Sequence, residues 1–165
     1  MDLQLPSLAE QSASKAERFQ CFSGLNLLHI RREVQKLLGL IGGNGIFDEY
    51  TRHDISHIDS MLNQLTELII PASTQQLMTP TDWLLIVLGV YFHDLGMLVT
   101  KNEYRRREDS DFPAFRRDLL GDQRGKDYEN KLSRLPGDEQ ERFLYQEFVR
   151  ANHGGLSRCP RLFHI

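Results

Sequence analysis

The chain has 165 residues and a formal net charge of -3, with 40% hydrophobic and 26% charged residues. This length and composition suit one soluble globular domain, and the charge gives no support for a surface that coats nucleic acid. The longest apolar run, Trp83 to Tyr91, is far shorter than the roughly 20 residues of a membrane-spanning helix. The N-terminus lacks a secretory signal, and two distant cysteines suit a reducing compartment, so we predict a cytoplasmic domain.

The first predicted helix begins at a pattern that is typical of helix N-termini. Ser14 and Glu17 have the spacing of a capping box, in which a hydroxyl and a carboxylate bind each other's backbone amides. Apolar residues recur at helical spacing behind this pattern, so the helix is predicted to run to about Ile41. The glycine-rich segment 42–45 follows, and it is expected to end the helix because glycine enters left-handed conformations at low cost.

A second helix is predicted to begin near Thr51, which precedes Asp54 by three residues, and to end before Pro71. His53 and His57 are four residues apart, so both would project from one flank of this helix. Neither histidine interrupts the apolar stripe of the helix. The pattern therefore predicts two imidazoles at the edge of a pocket.

The third predicted helix is the most hydrophobic one. Thr79 has the spacing of an N-cap, a proline follows at the first helical position, and Asp82 is in the first turn. The segment Trp83 to Tyr91 is apolar nearly all round, which predicts a central helix that is covered on several sides. His93 and Asp94 would then lie in the last turn or just beyond it.

The rest of the chain is more polar, and the whole sequence contains neither a convincing strand nor an internal repeat. A charged turn is expected at 101–111, and further helices are predicted at 112–120, 128–135 and from Pro136 to about His153. The predicted order is a flexible leader at 1–11, a helical metal-binding domain at 12–155 and an irregular tail at 156–165. The fold class is therefore all-α.

His93 and Asp94 are difficult to bury, yet they directly follow the most apolar segment. An uncompensated carboxylate in that position costs several kcal/mol. A divalent metal removes this cost, because imidazole nitrogen and carboxylate oxygen suit zinc, iron, manganese or cobalt. The alternative is structural: His93 caps helix carbonyls and Asp94 caps the next segment, while His57 and His153 are ordinary helix histidines.

The order of these residues resembles the HD superfamily of metal-dependent phosphohydrolases. The resemblance is carried by the histidine segment Phe47 to His57, by Met61, by Tyr91-Phe-His-Asp-Leu-Gly-Met97 and by Val149-Arg-Ala-Asn-His153. It covers roughly Leu25 to Gly155 and is nearest to the branch found beside Hsp90-like ATPase modules in larger bacterial proteins.

The resemblance implies an HD-type helical bundle that holds one or two divalent metals, namely Mn, Fe, Zn, Co or Mg. By motif position, His57, His93 and Asp94 would be metal ligands, and Asp94 would also be catalytic. His53 would be a second ligand or a catalytic group that faces the substrate. His153 would bind a second metal or contact a phosphate.

The expected substrate is a phosphorylated small molecule or a nucleotide, since a bound metal activates water and holds phosphoryl oxygens. Lys101, Arg105 and Arg106 are candidate substrate-binding residues because arginine and lysine bind phosphate. The alternative is a solvated charged turn in which these cations pair with Glu108 and Asp109.

One departure from the superfamily affects the functional prediction. A further aspartate on a later helix normally completes the metal site, but this chain has no aspartate after Asp138 and no acid after Glu147. We expect that the chain is a piece of a longer protein that lacks its C-terminal part; otherwise His153 replaces the ligand, or the site is incomplete. The functional hypotheses are an HD-type phosphohydrolase, a catalytically incomplete module that binds a nucleotide or a protein partner, and a helical interaction domain whose histidines do not converge.

Overall fold

The computed structural model describes residues 5–41, 54–121 and 125–156. These residues form nine α-helices with short 3-10 and π turns, and no strand occurs among them, which confirms the all-α prediction. Among these residues, 5–39 and 54–94 form one compact unit, and 95–156 together with Leu40 and Ile41 belong to a second. None of the helices in the described ranges has the length and apolar content that a membrane span requires.

The first unit contains five helices: α1 (Leu8–Ser14), α2 (Leu27–Leu38), α3 (Ile55–Gln64), α4 (Ala72–Gln75) and α5 (Pro80–Phe92). Apolar side chains on four of these helices are almost completely buried: Ala9, Ala13, Leu27, Val34, Leu38, Ile58, Leu62, Leu84 and Val87. Hydrophobic burial against one another is what holds such short helices in place, since most of them are too short to be stable alone.

The N-terminal region differs from its prediction in two ways. Residues 8–14 form α1 instead of a flexible leader, and the single helix expected from Ser14 to Ile41 is interrupted by 3-10 turns before α2 begins. The working capping box is Ser7 with Glu10, the same sequence pattern seven residues earlier. Ser14 instead donates its hydroxyl to the carbonyl of Gln11.

Helix α3 begins at Ile55, where the Asp54 side chain accepts a hydrogen bond of 3.0 Å from the Ser56 amide. The predicted N-cap Thr51 lies outside the described residues. A π turn at Leu65–Ile69 continues α3, so the helical segment ends before Pro71 as predicted.

Helix α5 confirms the local prediction in detail. Thr79 and Asp82 form a reciprocal capping box, and Pro80 is the first helical residue. The helix ends at Phe92, so His93 is its C-cap residue and keeps a helical backbone conformation. The prediction of a helix covered on several sides is only partly right, because Phe92 is 42% exposed and Leu85 is 64% exposed.

The second unit contains α6 (Lys101–Arg105), α7 (Phe112–Gly121), α8 (Gly125–Leu132) and α9 (Gly137–Leu156), preceded by a 3-10 turn at Leu95–Met97. The helix predicted at 112–120 is confirmed, and the one predicted at 128–135 is shifted toward the N-terminus. The charged turn at 101–111 contains the unpredicted α6, which begins with a capping box between Thr100 and Glu103. Of the predicted tail, only Leu156 is described.

Aromatic residues form the core of the second unit. The Phe112 ring meets Tyr145 and Phe148 edge to face, with ring centroids 5.1 and 5.8 Å apart. Phe112 is fully buried, and Tyr145 and Phe148 are less than 10% exposed. Edge-to-face packing adds to the free energy gained by burying these large side chains.

Candidate metal centre

Two helix ends bring the predicted ligands of the first unit together. His57 is in the first turn of α3, where its amide binds the carbonyl of Asp54 at 3.0 Å. His93 is the C-cap residue of α5, and Asp94 follows it directly. Because both histidines lie at helix ends, their rings extend beyond the packed middle of each helix.

The three side chains converge on one carboxylate oxygen. His93 Nε2 lies 2.9 Å from Asp94 Oδ2, and His57 Nε2 lies 3.5 Å from the same atom. The two imidazole ring centroids are 5.4 Å apart. We call these three residues the histidine–aspartate cluster. Its arrangement contradicts, for His57 and His93, the hypothesis that the motif histidines do not converge.

The burial of the cluster is uneven. The Asp94 side chain is 5% exposed, whereas the side chains of His93 and His57 are 27% and 39% exposed. The carboxylate is therefore removed from water while the imidazoles remain partly exposed. A metal ion or a solute molecule can reach the cluster through the histidines.

The backbone of α5 fixes the orientation of the His93 ring. His93 Nδ1 lies 2.6 Å from the carbonyl oxygen of Val90, so Nδ1 donates its hydrogen there and Nε2 faces Asp94. The hydrogen bond with Asp94 raises the pKa of His93; burial opposes this shift, and the Val90 carbonyl supports it. A backbone bond of this kind is what commonly orients a metal-binding histidine.

The donor set fits a divalent transition metal. Two imidazole nitrogens and one carboxylate oxygen lie within 4.8 Å of one another. Ligands with bonds of about 2.0–2.2 Å to a shared ion are at most about 4.4 Å apart, so small movements suffice for binding. Three protein ligands, the number found among the described residues, are also the number that catalytic zinc sites use.

The remaining predicted site residues have different outcomes. His53 lies outside the described residues. His153 belongs to the last part of α9 in the second unit, where its Nδ1 lies 2.6 Å from the Arg150 carbonyl. Its predicted role as a ligand or phosphate contact stays a prediction.

The predicted substrate-binding cations belong to the second unit. Lys101 and Arg105 are exposed on α6, and Arg106 is the C-cap residue of that helix. Arg106 Nε lies 3.3 Å from Asp109 Oδ2. The alternative interpretation, a charged turn in which these cations pair with acids, predicted this ion pair. Their binding of a phosphate stays a prediction.

Two features of the structure were missed in the sequence. The first is the role of Gly96, which lies against α9: a Cβ atom on Gly96 would lie 2.1 Å from the His153 carbonyl oxygen. Glu10 was placed in a flexible leader, yet it is fully buried. Its spacing from Ser7 was the available signal for an ordered helix start.

An all-α fold in which two histidines converge on an aspartate just after α5 is the arrangement that the resemblance implied for an HD-type domain. The HD-CE family model matches residues 47–162, which is more than half of the chain. The chain therefore belongs to the HD-CE family, and the predicted HD resemblance is confirmed. No curated protein and no solved structure matches the chain significantly.

Proposed function

We propose that the chain is a metal-dependent phosphohydrolase domain that acts on a nucleotide or another phosphate ester. The observation that carries the proposal is the convergence of His57 and His93 on the carboxylate of Asp94. Such a set is suited to holding Mn, Fe, Zn, Co or Mg beside solvent. The membership of the HD-CE family supports the same chemistry.

In the proposed mechanism the Nε2 atoms of His57 and His93 and a carboxylate oxygen of Asp94 would hold the metal. A metal held in this way lowers the pKa of a bound water and stabilises charge on phosphoryl oxygens. The Asp94 carboxylate lies within 3.5 Å of both imidazole Nε2 atoms, so it would be placed to take up a proton within the cluster. Val90 keeps the His93 ring from rotating by accepting from Nδ1.

The substrate contacts in this proposal come from exposed cations. Lys101, Arg105 and Arg106 would bind the phosphate, and His153 would contact a phosphate or a second metal. His57 is the more exposed imidazole, so the substrate would approach the cluster from its side. His53 would complete the metal site or face the substrate.

Metal analysis and activity assays test the proposal. Purified protein, refolded with manganese or iron if necessary, is expected to carry about one or two metals per chain. Changing His93 and Asp94 together to alanine should abolish binding, and His57→Ala should abolish turnover on a panel of nucleotides and phosphate esters. His29→Ala is the matched control because this histidine is exposed on α2. A wild-type protein that binds no metal after refolding would sink the proposal.

A second candidate function is a module that binds a nucleotide or a protein partner without hydrolysis. It takes the same histidine–aspartate cluster as a binding site and not as a catalytic one. This candidate predicts that nucleotides bind with metal present while no phosphate is released. Phosphate release that depends on His57 would exclude it.

A further inference from the structure

The strongest feature outside the histidine–aspartate cluster is a buried carboxylate. Glu10 is completely buried, and each of its oxygens is bound by two groups. Oε2 accepts from the amide and the hydroxyl of Ser7 at 2.9 and 2.7 Å. Oε1 accepts from Arg31 Nη1 at 2.7 Å and from the Tyr91 hydroxyl at 2.5 Å. Glu10 therefore joins α1, α2 and α5.

Arg31 extends this connection to a fourth helix. Its second terminal nitrogen, Nη2, donates to Asp59 Oδ1 on α3 at 2.7 Å. The Arg31 side chain is 12% exposed, and Asp59 is 34% exposed. One guanidinium thus holds carboxylates from α1 and α3 at the same time. We call Glu10, Arg31, Asp59 and Tyr91 the Arg31 cluster.

Such a cluster is not explained by stability alone. Buried charges lose their hydration, and well-packed apolar residues of similar size often stabilise a core as much or more. A guanidinium is directional, whereas apolar packing is not, because its planar set of N–H donors fixes the angle at which each partner binds. The Arg31 cluster therefore constrains how four helices are rotated about their axes.

Two members of the Arg31 cluster are close in sequence to the metal ligands. Asp59 follows His57 by two residues on α3, and Tyr91 precedes His93 by two residues on α5. Two helical residues correspond to a turn of about 200°, so each anchor lies on the opposite side of its helix from the ligand. A helix that the Arg31 cluster holds on one side can rotate little about its axis, so the ligand on its other side keeps its position.

Metal binding requires that α3 and α5 place the two imidazoles accurately. An atom at about 5.5 Å from a helix axis moves by about 2 Å when the helix turns by about 20°. That displacement equals a whole metal–ligand bond of about 2.0–2.2 Å. Small rotations of α3 or α5 would therefore separate His57 from His93.

We infer that the Arg31 cluster is a positioning device that sets the rotation of α3 and α5, so that both imidazole Nε2 atoms reach Asp94. Arg31 and Tyr91 are positioning residues, since they would act on the imidazoles through the helices that carry them. The inference rests on the proposed function for its consequence in metal binding. Its structural part, the approach of the two imidazoles, can be measured without metal.

Arg31→Lys is the main test, because it retains the charge and removes the fork. The matched control is Arg32→Lys, which makes the same change at an exposed neighbour on α2. We expect Arg31→Lys to weaken Co²⁺ affinity at least ten-fold, as removal of supporting groups does at metal sites, and to alter the Co²⁺ absorption spectrum. Arg32→Lys should change neither. Titrations are performed where circular dichroism shows each protein to be folded.

The metal-free measurement uses NMR cross-relaxation between the ring protons of His57 and His93, whose centroids are 5.4 Å apart. Cross-peaks should be present in the wild type and in Arg32→Lys, and lost or weakened in Arg31→Lys. Tyr91→Phe removes only one hydroxyl and replaces Arg31→Lys if that variant does not fold. It should also weaken the cross-peaks and lower the Co²⁺ affinity, by about three-fold or more.

The outcomes separate the two proposals. Unchanged cross-peaks and unchanged Co²⁺ affinity in folded variants would overturn the positioning role, even if their stability falls. If the wild type shows the cross-peaks and binds no metal, the proposed function fails, while the cross-peaks of the variants still decide the positioning role.

Discussion

The two units of the chain have different interiors. In the first unit a fully buried carboxylate, Glu10, is bound by Arg31 and Tyr91. In the second unit aromatic rings form the core, with Phe112 packed against Tyr145. A fully buried carboxylate therefore links helices of the first unit in addition to their apolar packing. In the second unit the carboxylate that accepts from Arg116, Glu141, is 24% exposed, and the buried core is aromatic.

The chemistry of each unit explains the difference. Burial, together with the bond to Glu10, raises the pKa of the Tyr91 hydroxyl, so it remains a donor at all ordinary pH values. Burial lowers the pKa of Arg31, but the nearby charges of Glu10 and Asp59 raise it by more. The net shift of the pKa is therefore upward, and the guanidinium stays charged. A unit that must aim two imidazoles at one oxygen benefits from such fixed angles, whereas a core that only excludes water does not.

The largest expected effect is in the aromatic core. Phe112→Ala should lower the free energy of unfolding by about 3–5 kcal/mol, because it removes a fully buried ring and leaves a cavity. Urea unfolding of the whole chain measures the loss. Phe92→Ala in the first unit is the matched control, since Phe92 is 42% exposed and should cost much less. If Phe112→Ala lost as little stability as Phe92→Ala, the second unit would not depend on this core.

A pair of glycine substitutions should have opposite signs in the two units. In Gly96→Ala the new Cβ would lie 2.1 Å from the backbone oxygen of His153, so α9 must move, at a cost of about 3 kcal/mol. Gly89→Ala places its Cβ in open space within α5, where alanine is the better helix former by about 0.5–1 kcal/mol. Thermal unfolding of both variants tests this. A Gly96→Ala variant without loss of stability would contradict the packing at Gly96, and a destabilised Gly89→Ala variant would contradict the open space at Gly89.

The sequence predicts what is encoded within one helix. The limits of α5 follow from the Thr79 capping box and from the apolar run behind it, because both are local patterns. The placement of His93 and Asp94 just beyond that helix was predicted for the same reason. Their convergence with His57 depends on contacts across 36 residues, and only the resemblance to the HD superfamily predicted it.

Long-range polar contacts could not be predicted in this way. Tyr91 binds Glu10 across 81 positions of the chain, and neither residue has a local pattern that indicates its partner. The break before α2 also depends on such a contact, since the Glu17 carboxylate accepts the Leu27 amide at 2.8 Å and caps that helix. Sequence periodicity continues through this region, which is why one long helix was predicted instead.

The same capping box occurs in both units and gives a smaller, matched effect. Thr79 caps α5 with Asp82, and Thr100 caps α6 with Glu103. Thr79→Ala should lower the free energy of unfolding by about 1 kcal/mol, as for other caps. Thr100→Ala should cost less, because α6 has only five residues and can open locally without the rest of its unit. Urea titrations compare the two, and a greater loss at Thr100 would contradict the prediction.

The pH dependence of the Thr79 box is the smallest effect. The backbone amide of Thr79, and then its hydroxyl, stabilise the ionised Asp82 side chain and lower its pKa. The folded pKa is then below the unfolded value of about 3.9, so the contribution is present above that pH and is lost as the pH falls through the folded pKa. Asp82→Asn should therefore be less stable than the wild type at pH 6, and this gap should shrink toward pH 3. A gap that is constant with pH would mean that the carboxylate charge does not contribute to the cap.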